Sequence, residues 1–290
     1  MKLFVPGRIC LFGEHSDWAG GYRRINAELG KGYTLIAGTN QGIHAEVDPH
    51  PTKLILESTL EDGTRVGPLE VPMEREALLA EAEKGEFFSY AAGVAYQVLT
   101  HYRVRGLRIV NTLTDLPIRK GLSSSAAVSV LVARAFNRIY DLKMTVRGEM
   151  EYAYMGEITT PSRCGRMDQG CAYGNRPIMM LFDGERVDVE ELSVPQELFF
   201  VIVDLCAGKD TKEILTRLNH CYPFAENDLQ REVQQYLGET SAEITRAARD
   251  ALRTGDAAEL GALMRRAQAG FDAQVAPACP QELTAPVLHK

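Results

Sequence analysis

The sequence predicts an α+β protein organised as two domains, and three observations carry that prediction. Short apolar runs broken by glycine occupy the N-terminal stretch up to Val47. An almost unbroken apolar segment, Ala126-Ala127-Val128-Ser129-Val130-Leu131-Val132-Ala133-Arg134-Ala135-Phe136, follows a glycine-serine turn. After about residue 205 strand patterns nearly vanish and amphipathic helical spacing takes over. Strands and helices mix without a regular βαβ rhythm, which separates α+β from a doubly wound sheet. A chain of 290 residues is long enough for one large or two medium cores.

Taken in order, Leu3-Phe4-Val5, Ile9-Cys10-Leu11-Phe12, Tyr33-Thr34-Leu35-Ile36-Ala37 and Ile43-His44-Ala45-Glu46-Val47 read as strands joined by turns. Leu54-Ile55-Leu56 continues the pattern and Glu61-Asp62-Gly63-Thr64 reads as a turn. From Phe87 to about Tyr102 the spacing is helical, with Phe88, Ala91, Ala92, Ala95, Val98 and Leu99 on one face. Leu107-Arg108-Ile109-Val110 is a strand, Ala126–Phe136 a buried helix, and Thr145 an N-cap for a helix through Tyr152 to about Glu157. Residues 159–169 read as a loop. Pro177–Phe182 and Leu198–Val203 read as strands, and helices are expected over about Phe224–Leu237, Ser241–Arg253 and Asp256–Ala269. A domain boundary near Pro195 divides the chain into residues 1–195 and 196–290.

Hydrophobic residues at 45% and charged residues at 24% are ordinary for a globular protein, and the net charge of −7 argues against a nucleic-acid surface. The six cysteines Cys10, Cys164, Cys171, Cys206, Cys221 and Cys279 show no C-x-x-C spacing and read as small core residues. Neither a long apolar leader nor a run of membrane-spanning length is present, so a cytoplasmic protein is expected.

Three segments carry candidate chemistry. In Pro6-Gly7-Arg8-Ile9-Cys10-Leu11-Phe12-Gly13-Glu14-His15-Ser16-Asp17-Trp18-Ala19-Gly20-Gly21 a strand ends in a dense polar cluster. Glu14, His15 and Asp17 supply convergent donors and acceptors and Trp18 an aromatic face, a mixture suited to a polyhydroxylated ligand. Alone, the cluster reads equally well as a charged surface turn. In Lys120-Gly121-Leu122-Ser123-Ser124-Ser125-Ala126-Ala127 small residues at a helix start let backbone N–H groups converge on an anion, where a single capping serine would need no companions. In Cys164-Gly165-Arg166-Met167-Asp168-Gln169 a carboxylate lies beside Arg163 and Arg166, an arrangement that favours its ionised form and that an ordinary salt-bridged loop also produces.

Together and in this order, P-G-R-I-C-L-F-G-E-H-S-D-W-A-G-G, K-G-L-S-S-S-A-A and C-G-R-M-D-Q resemble the three-part signature of GHMP kinases, the superfamily of galactokinase, homoserine kinase, mevalonate kinase and phosphomevalonate kinase. The likeness runs from about residue 5 to 185. It implies a two-domain fold, an N-terminal mixed-sheet domain like ribosomal protein S5 domain 2 followed by a helix-rich ferredoxin-like domain. It also implies Asp168 as catalytic base, with Arg8 holding it ionised and steadying the phosphoryl group. Ser125 and Glu157 would share Mg²⁺. Lys120, Gly121, Leu122, Ser123, Ser124 and Ser125 would cradle ATP, and Glu14, His15 and Asp17 would bind the acceptor.

The sequence departs from the pattern twice. Arg119 and Lys120 stand where the loop usually carries more glycine, and no glycine-rich third motif precedes Lys290, so an incomplete C-terminal domain is expected. Asp17-Trp18 after Gly-Glu-His points to a sugar acceptor. Arg23, Arg24, Arg163 and Arg166 raise an anionic sugar as a variant, with surface ion pairs as the other account of them. The alternatives are a mevalonate-type or heptose-phosphate kinase, or a catalytically silent sugar and nucleotide sensor. Expected partners are the sugar and ATP, without nucleic acid or membrane, in a monomer or homodimer.

Overall fold

The computed structural model describes all residues except Glu61, 117–121, Arg163, Asp204, 206–207, Lys209, Ala285 and 289–290. The chain divides into two compact units: Met1–Ile9 with Ala37–Asn175, and Cys10–Ile36 with Arg176–Lys290. Each unit therefore assembles from separate stretches of sequence. The cut expected near Pro195 falls inside the second unit, because the change of composition there marks where strands stop and not where packing changes.

Chain order runs β1 (Lys2–Phe12), α1 (Ser16–Gly21), β2 (Gly32–His50), β3 (Lys53–Thr59), β4 (Arg65–Pro72), α2 (Arg75–Glu83), α3 (Ser89–His101), β5 (Gly106–Thr114), α4 (Ser124–Tyr140), α5 (Val146–Ile158), a 3-10 turn Asp168–Tyr173, β6 (Ile178–Asp183), β7 (Arg186–Glu191), α6 (Thr211–Asn219), α7 (Asp228–Gln235), α8 (Ser241–Thr254) and α9 (Ala257–Gln274). The architecture is α+β, as the mixed patterning predicts.

In the first unit the strand order is β4-β3-β5-β2, with β1 also pairing β2. β3 and β5 run parallel while β2 and β4 pair antiparallel with their neighbours. Two expected turns are absent: Leu3–Val5 and Ile9–Phe12 join in β1, and Tyr33–Ala37 and Ile43–Val47 join in β2. The glycines between the latter serve close approach. A Cβ on Gly38 would lie 2.0 Å from the Gly174 carbonyl oxygen and one on Gly42 2.3 Å from that of Val5, so side chains are excluded there while the backbone stays extended. The expected turn at 62–64 is present, closed by Leu60 N–H on Thr64 O at 2.8 Å. α4 is buried around most of its circumference, from Ala126 and Ala127 through Val130, Leu131 and Val132 to Phe136. Thr145 caps α5, its hydroxyl accepting Gly148 N–H at 3.1 Å. Inside this unit Glu149, 2% exposed, accepts Arg134 Nε at 2.8 Å and Asn137 Nδ2 at 2.8 Å, while Arg134 Nη2 donates to Ala172 O at 2.7 Å.

In the second unit β2 continues to β6 and then β7, all antiparallel. One core gathers Ala19, Leu29, Leu218, Tyr222, Val233, Leu237 and Val275, and another Phe12, Leu35, Met179, Ile244, Leu252 and Leu263. Helix starts follow their caps: Asp210, Asn227 and Asp256 each accept first-turn N–H bonds. The helix expected from Phe224 begins at Asp228 because Asn227 caps it, and α7 passes into α8 through a π turn, Tyr236–Thr240. The strand expected at Leu198–Val203 is not formed. Among the described residues no neighbour offers a ladder to this run, and Phe199 and Val201 stand 90% and 91% exposed.

Candidate functional site

Arg8, near the end of the first unit's share of β1, is 7% exposed. Its guanidinium donates from Nε to Asp168 Oδ1 at 3.2 Å and, in a shorter bond, from Nη2 to the same oxygen. The backbone of Arg8 also donates to Leu122 O at 3.2 Å. Gly7 makes that approach feasible, since a Cβ there would sit 2.8 Å from Leu122 O and 2.3 Å from Leu116 Cδ1. Asp115 holds the other side of this segment, its carboxylate accepting Gly42 N–H at 2.7 Å. Lys120 and Gly121, expected to face ATP, lie outside the described residues, as does Arg163.

Ser123 stands at the N-cap of α4 in the left-handed region (φ 56°, ψ 50°) and makes no side-chain capping bond. The hydroxyl therefore does not consume the first-turn N–H groups, and the helix dipole opens toward Ser123, Ser124 and Ser125. One turn further, Ser129 Oγ donates to Ser125 O at 3.1 Å and also faces the carboxyl of Glu157. Ser125 and Ser129 share a helix face at i, i+4, so that face leads from Glu157 to the mouth of α4.

Glu157, in the last turn of α5, is 1% exposed. Burial first, and the charge of Asp168 second, push its carboxyl up to about 7 against an ordinary value of 4.5. Gln169, Cys164 and Ser129 act in the opposite direction on its carboxyl, without offsetting burial and Asp168. Its Oε1 nevertheless has no partner among the described residues. A buried, electron-rich oxygen without a donor, beside a second carboxylate, is a place where a hard cation would restore both charge balance and coordination. Arg8, Asp168, Glu157, Ser129 and Ser125 are thus brought together in one unit.

Glu14, His15 and Asp17 belong to the other unit. Glu14 is exposed, Asp17 is 8% exposed at the start of α1, and His15 adopts a left-handed backbone with φ 68°. Trp18 Nε1 donates to His15 Nδ1 at 3.2 Å, which assigns the imidazole proton to Nε2 in the neutral ring. Trp18 packs edge-on against Tyr222 at 5.3 Å, and Tyr22 stacks on Tyr222 at 5.3 Å while donating its hydroxyl to Asn219 Oδ1 at 2.7 Å. The Trp18 ring thus packs largely within this core, where the sequence suggested a free ligand face. Ser16, which sequence reasoning passed over, is fully buried and donates to Leu237 O at 3.0 Å inside the π turn. Two of the arginines considered for an anionic acceptor are paired, Arg23 with Asp183 at 2.6 Å and Arg24 with Glu185 at 2.8 Å. Arg166 lies over the Tyr154 ring at 4.6 Å.

Residues 89–175 match the family described as GHMP kinases N terminal domain. The chain is 28% identical to the galactokinase of Thermococcus kodakarensis over 290 residues, covering 91% of this chain and 75% of that relative. It spans about half the length of bacterial galactokinases that it also matches. Among solved structures, the Lactococcus lactis galactokinase complexed with galactose aligns with a TM-score of 0.65 at 17% identity, covering 94% of this chain and 75% of that one. The Methanococcus jannaschii mevalonate kinase aligns with a TM-score of 0.60 at 14% identity, covering 94% and 79%. Residues 89–175 thus match a GHMP kinases N terminal domain, and the chain around them is similar in sequence to galactokinases and in fold to galactokinase and mevalonate kinase structures.

Proposed function

We propose that this protein is an ATP-dependent kinase that transfers the γ-phosphoryl group to a hydroxyl of a neutral sugar. The observation that carries the reading is the Arg8–Asp168 pair set beside a buried Glu157 whose Oε1 lacks a partner among the described residues. Phosphoryl transfer asks the protein mainly for positioning and charge compensation. Arg8 Nε and Nη2 both donate to Asp168 Oδ1, so Oδ2 is the oxygen assigned to receive the acceptor proton as general base. Arg8 orients that carboxylate and places positive charge beside it.

Glu157 and Ser125 would hold Mg²⁺, which supplies positive charge to the nucleotide phosphates when bound. The uncapped start of α4 presents backbone donors to those phosphates, with Lys120 and Gly121 assigned to the same cradle. Glu14, His15 and Asp17 are assigned to the acceptor, by resemblance to the galactokinase opening motif. Mevalonate kinases share the fold, so the fold does not choose the acceptor. The Asp17-Trp18 pair and the galactokinase relatives favour a sugar, and the pairing of Arg23 and Arg24 with acids favours a neutral one over an anionic one.

The test is nucleotide consumption measured against neutral hexoses, uronic acids, sugar phosphates and mevalonate. A neutral hexose should turn over, and Asp168→Asn should slow it by about 10²–10⁴-fold, the usual contribution of a general base. A rate that survives Asp168→Asn, or a folded protein that consumes ATP with none of these acceptors, would sink the proposal.

A further inference from the structure

Trp18 is the single tryptophan of the chain, and its indole N–H donates to His15 Nδ1 at 3.2 Å. The indole is itself held. Tyr222 meets it edge-on at 5.3 Å and Tyr22 at 6.4 Å, and Tyr222 is 9% exposed in the core that holds Leu237 and Val275. The Phe271 ring of α9 lies 6.4 Å from the imidazole and 22° from parallel with it. All of these residues belong to the second unit. Phenylalanine would pack against Tyr22 and Tyr222 as well; what tryptophan adds is the N–H.

His15 also occupies an unusual backbone position. It stands at the N-cap of α1 in the left-handed region (φ 68°, ψ −7°), where glycine fits without a Cβ penalty, and its side chain makes no capping bond. A histidine here neither relieves the backbone nor closes the helix, which leaves the imidazole for another task. The indole bond selects the form of the ring. Nδ1 accepts only when it carries no proton, so the bond favours the neutral imidazole with hydrogen on Nε2, whereas an imidazolium would set two donors against each other.

We propose that Trp18 is a positioning residue for acceptor binding: its N–H holds the His15 imidazole in one orientation and in the Nε2–H form, so that His15 meets the acceptor as a hydrogen-bond donor. The inference rests on the assignment of His15 to the acceptor. The group it fits is an oxygen with a free lone pair, which a sugar hydroxyl supplies and a protonated amine does not.

The experiment uses the full chain. With one tryptophan, the indole N–H gives a single resonance in a ¹H–¹⁵N spectrum and needs no assignment. His15→Gly removes the imidazole at a position whose backbone suits glycine. It should shift that resonance and speed its exchange with solvent by about 2–12-fold, the worth of one ordinary hydrogen bond; an unchanged shift and rate overturn the inference. Trp18→Phe keeps a ring in the core and removes the donor. Measured with the neutral hexose that turns over fastest, it should raise the acceptor KM by about 2–12-fold and leave the nucleotide KM unchanged. Combined with His15→Gly it should add nothing further, because the two side chains act through one contact. A wild-type acceptor KM in Trp18→Phe overturns the inference. So does an equal rise in the nucleotide KM, or the same factor recurring in the double variant, since either marks lost packing. Should Trp18→Phe fail to fold, the indole resonance and the acceptor KM of His15→Gly decide together. His15→Gly also separates the two levels. If it keeps the wild-type acceptor KM, the assignment of His15 falls and the inference with it. If it raises that KM while Trp18→Phe does not, only the role of Trp18 falls.

Discussion

Glu157 joins two properties in a single side chain, near-complete burial and a carboxyl raised to about 7. Because the folded-state value lies above the ordinary 4.5, the native protein holds a proton that the unfolded chain releases between those values. Metal-free stability is accordingly greatest below about pH 4.5 with respect to this group, and falls as pH rises toward 7, by about 3 kcal/mol. Thermal midpoints of the metal-free protein across pH 4.5–8 should show that decline, and Glu157→Gln should flatten it; an equal slope in both proteins would contradict the assignment. At this scale the motifs single out Arg8, Asp168, Ser125 and Glu157 as candidates, and the fold brings Arg8 onto Asp168 and buries Glu157. Ser129, Ser16 and Arg134 were not legible in the sequence, since a serine or an arginine inside an apolar helical run gives no sign of which neighbour it will meet.

α4 and α5 are fastened to the turn that presents Asp168 by one buried polar network. Arg134 bonds Glu149 and Ala172 O, and Asn137 bonds the other Glu149 oxygen. Replacing Arg134 with Met would leave the Glu149 carboxylate, its side chain 3% exposed, without its cation. A loss of about 3–5 kcal/mol is expected in urea unfolding, as for other broken buried pairs; a change under about 1 kcal/mol would show the network to be dispensable. Periodicity revealed most elements here, including α3, α4, the Thr145 cap and the 62–64 turn. It failed where glycine signified close approach instead of a turn, at Gly38 and Gly42, and where an apolar run, Leu198–Val203, met no partner strand. α6 escaped notice because only Ile214 and Leu218 mark its buried side.

Taken whole, the chain builds its second unit from both ends of the sequence. Phe12, Ala19, Leu29, Leu35 and Met179 sit in the same cores as the C-terminal helices. A fragment of residues 196–290 lacks all five side chains and should remain without cooperative thermal unfolding by circular dichroism; a sharp transition in that fragment would show the helices to be self-sufficient. Composition could show that strands cease near residue 205, but not that residues 10–36 fold with residues 176–290, because that pairing is non-local. The double engagement of Arg8 bears on redesign. It gives its main chain to Leu122 and its side chain to Asp168, so under the proposed function a change at Leu122 made to suit another nucleotide would also reach the acid. Under that proposal, attempts to change nucleotide preference would have to vary position 8 and its neighbours in the same library.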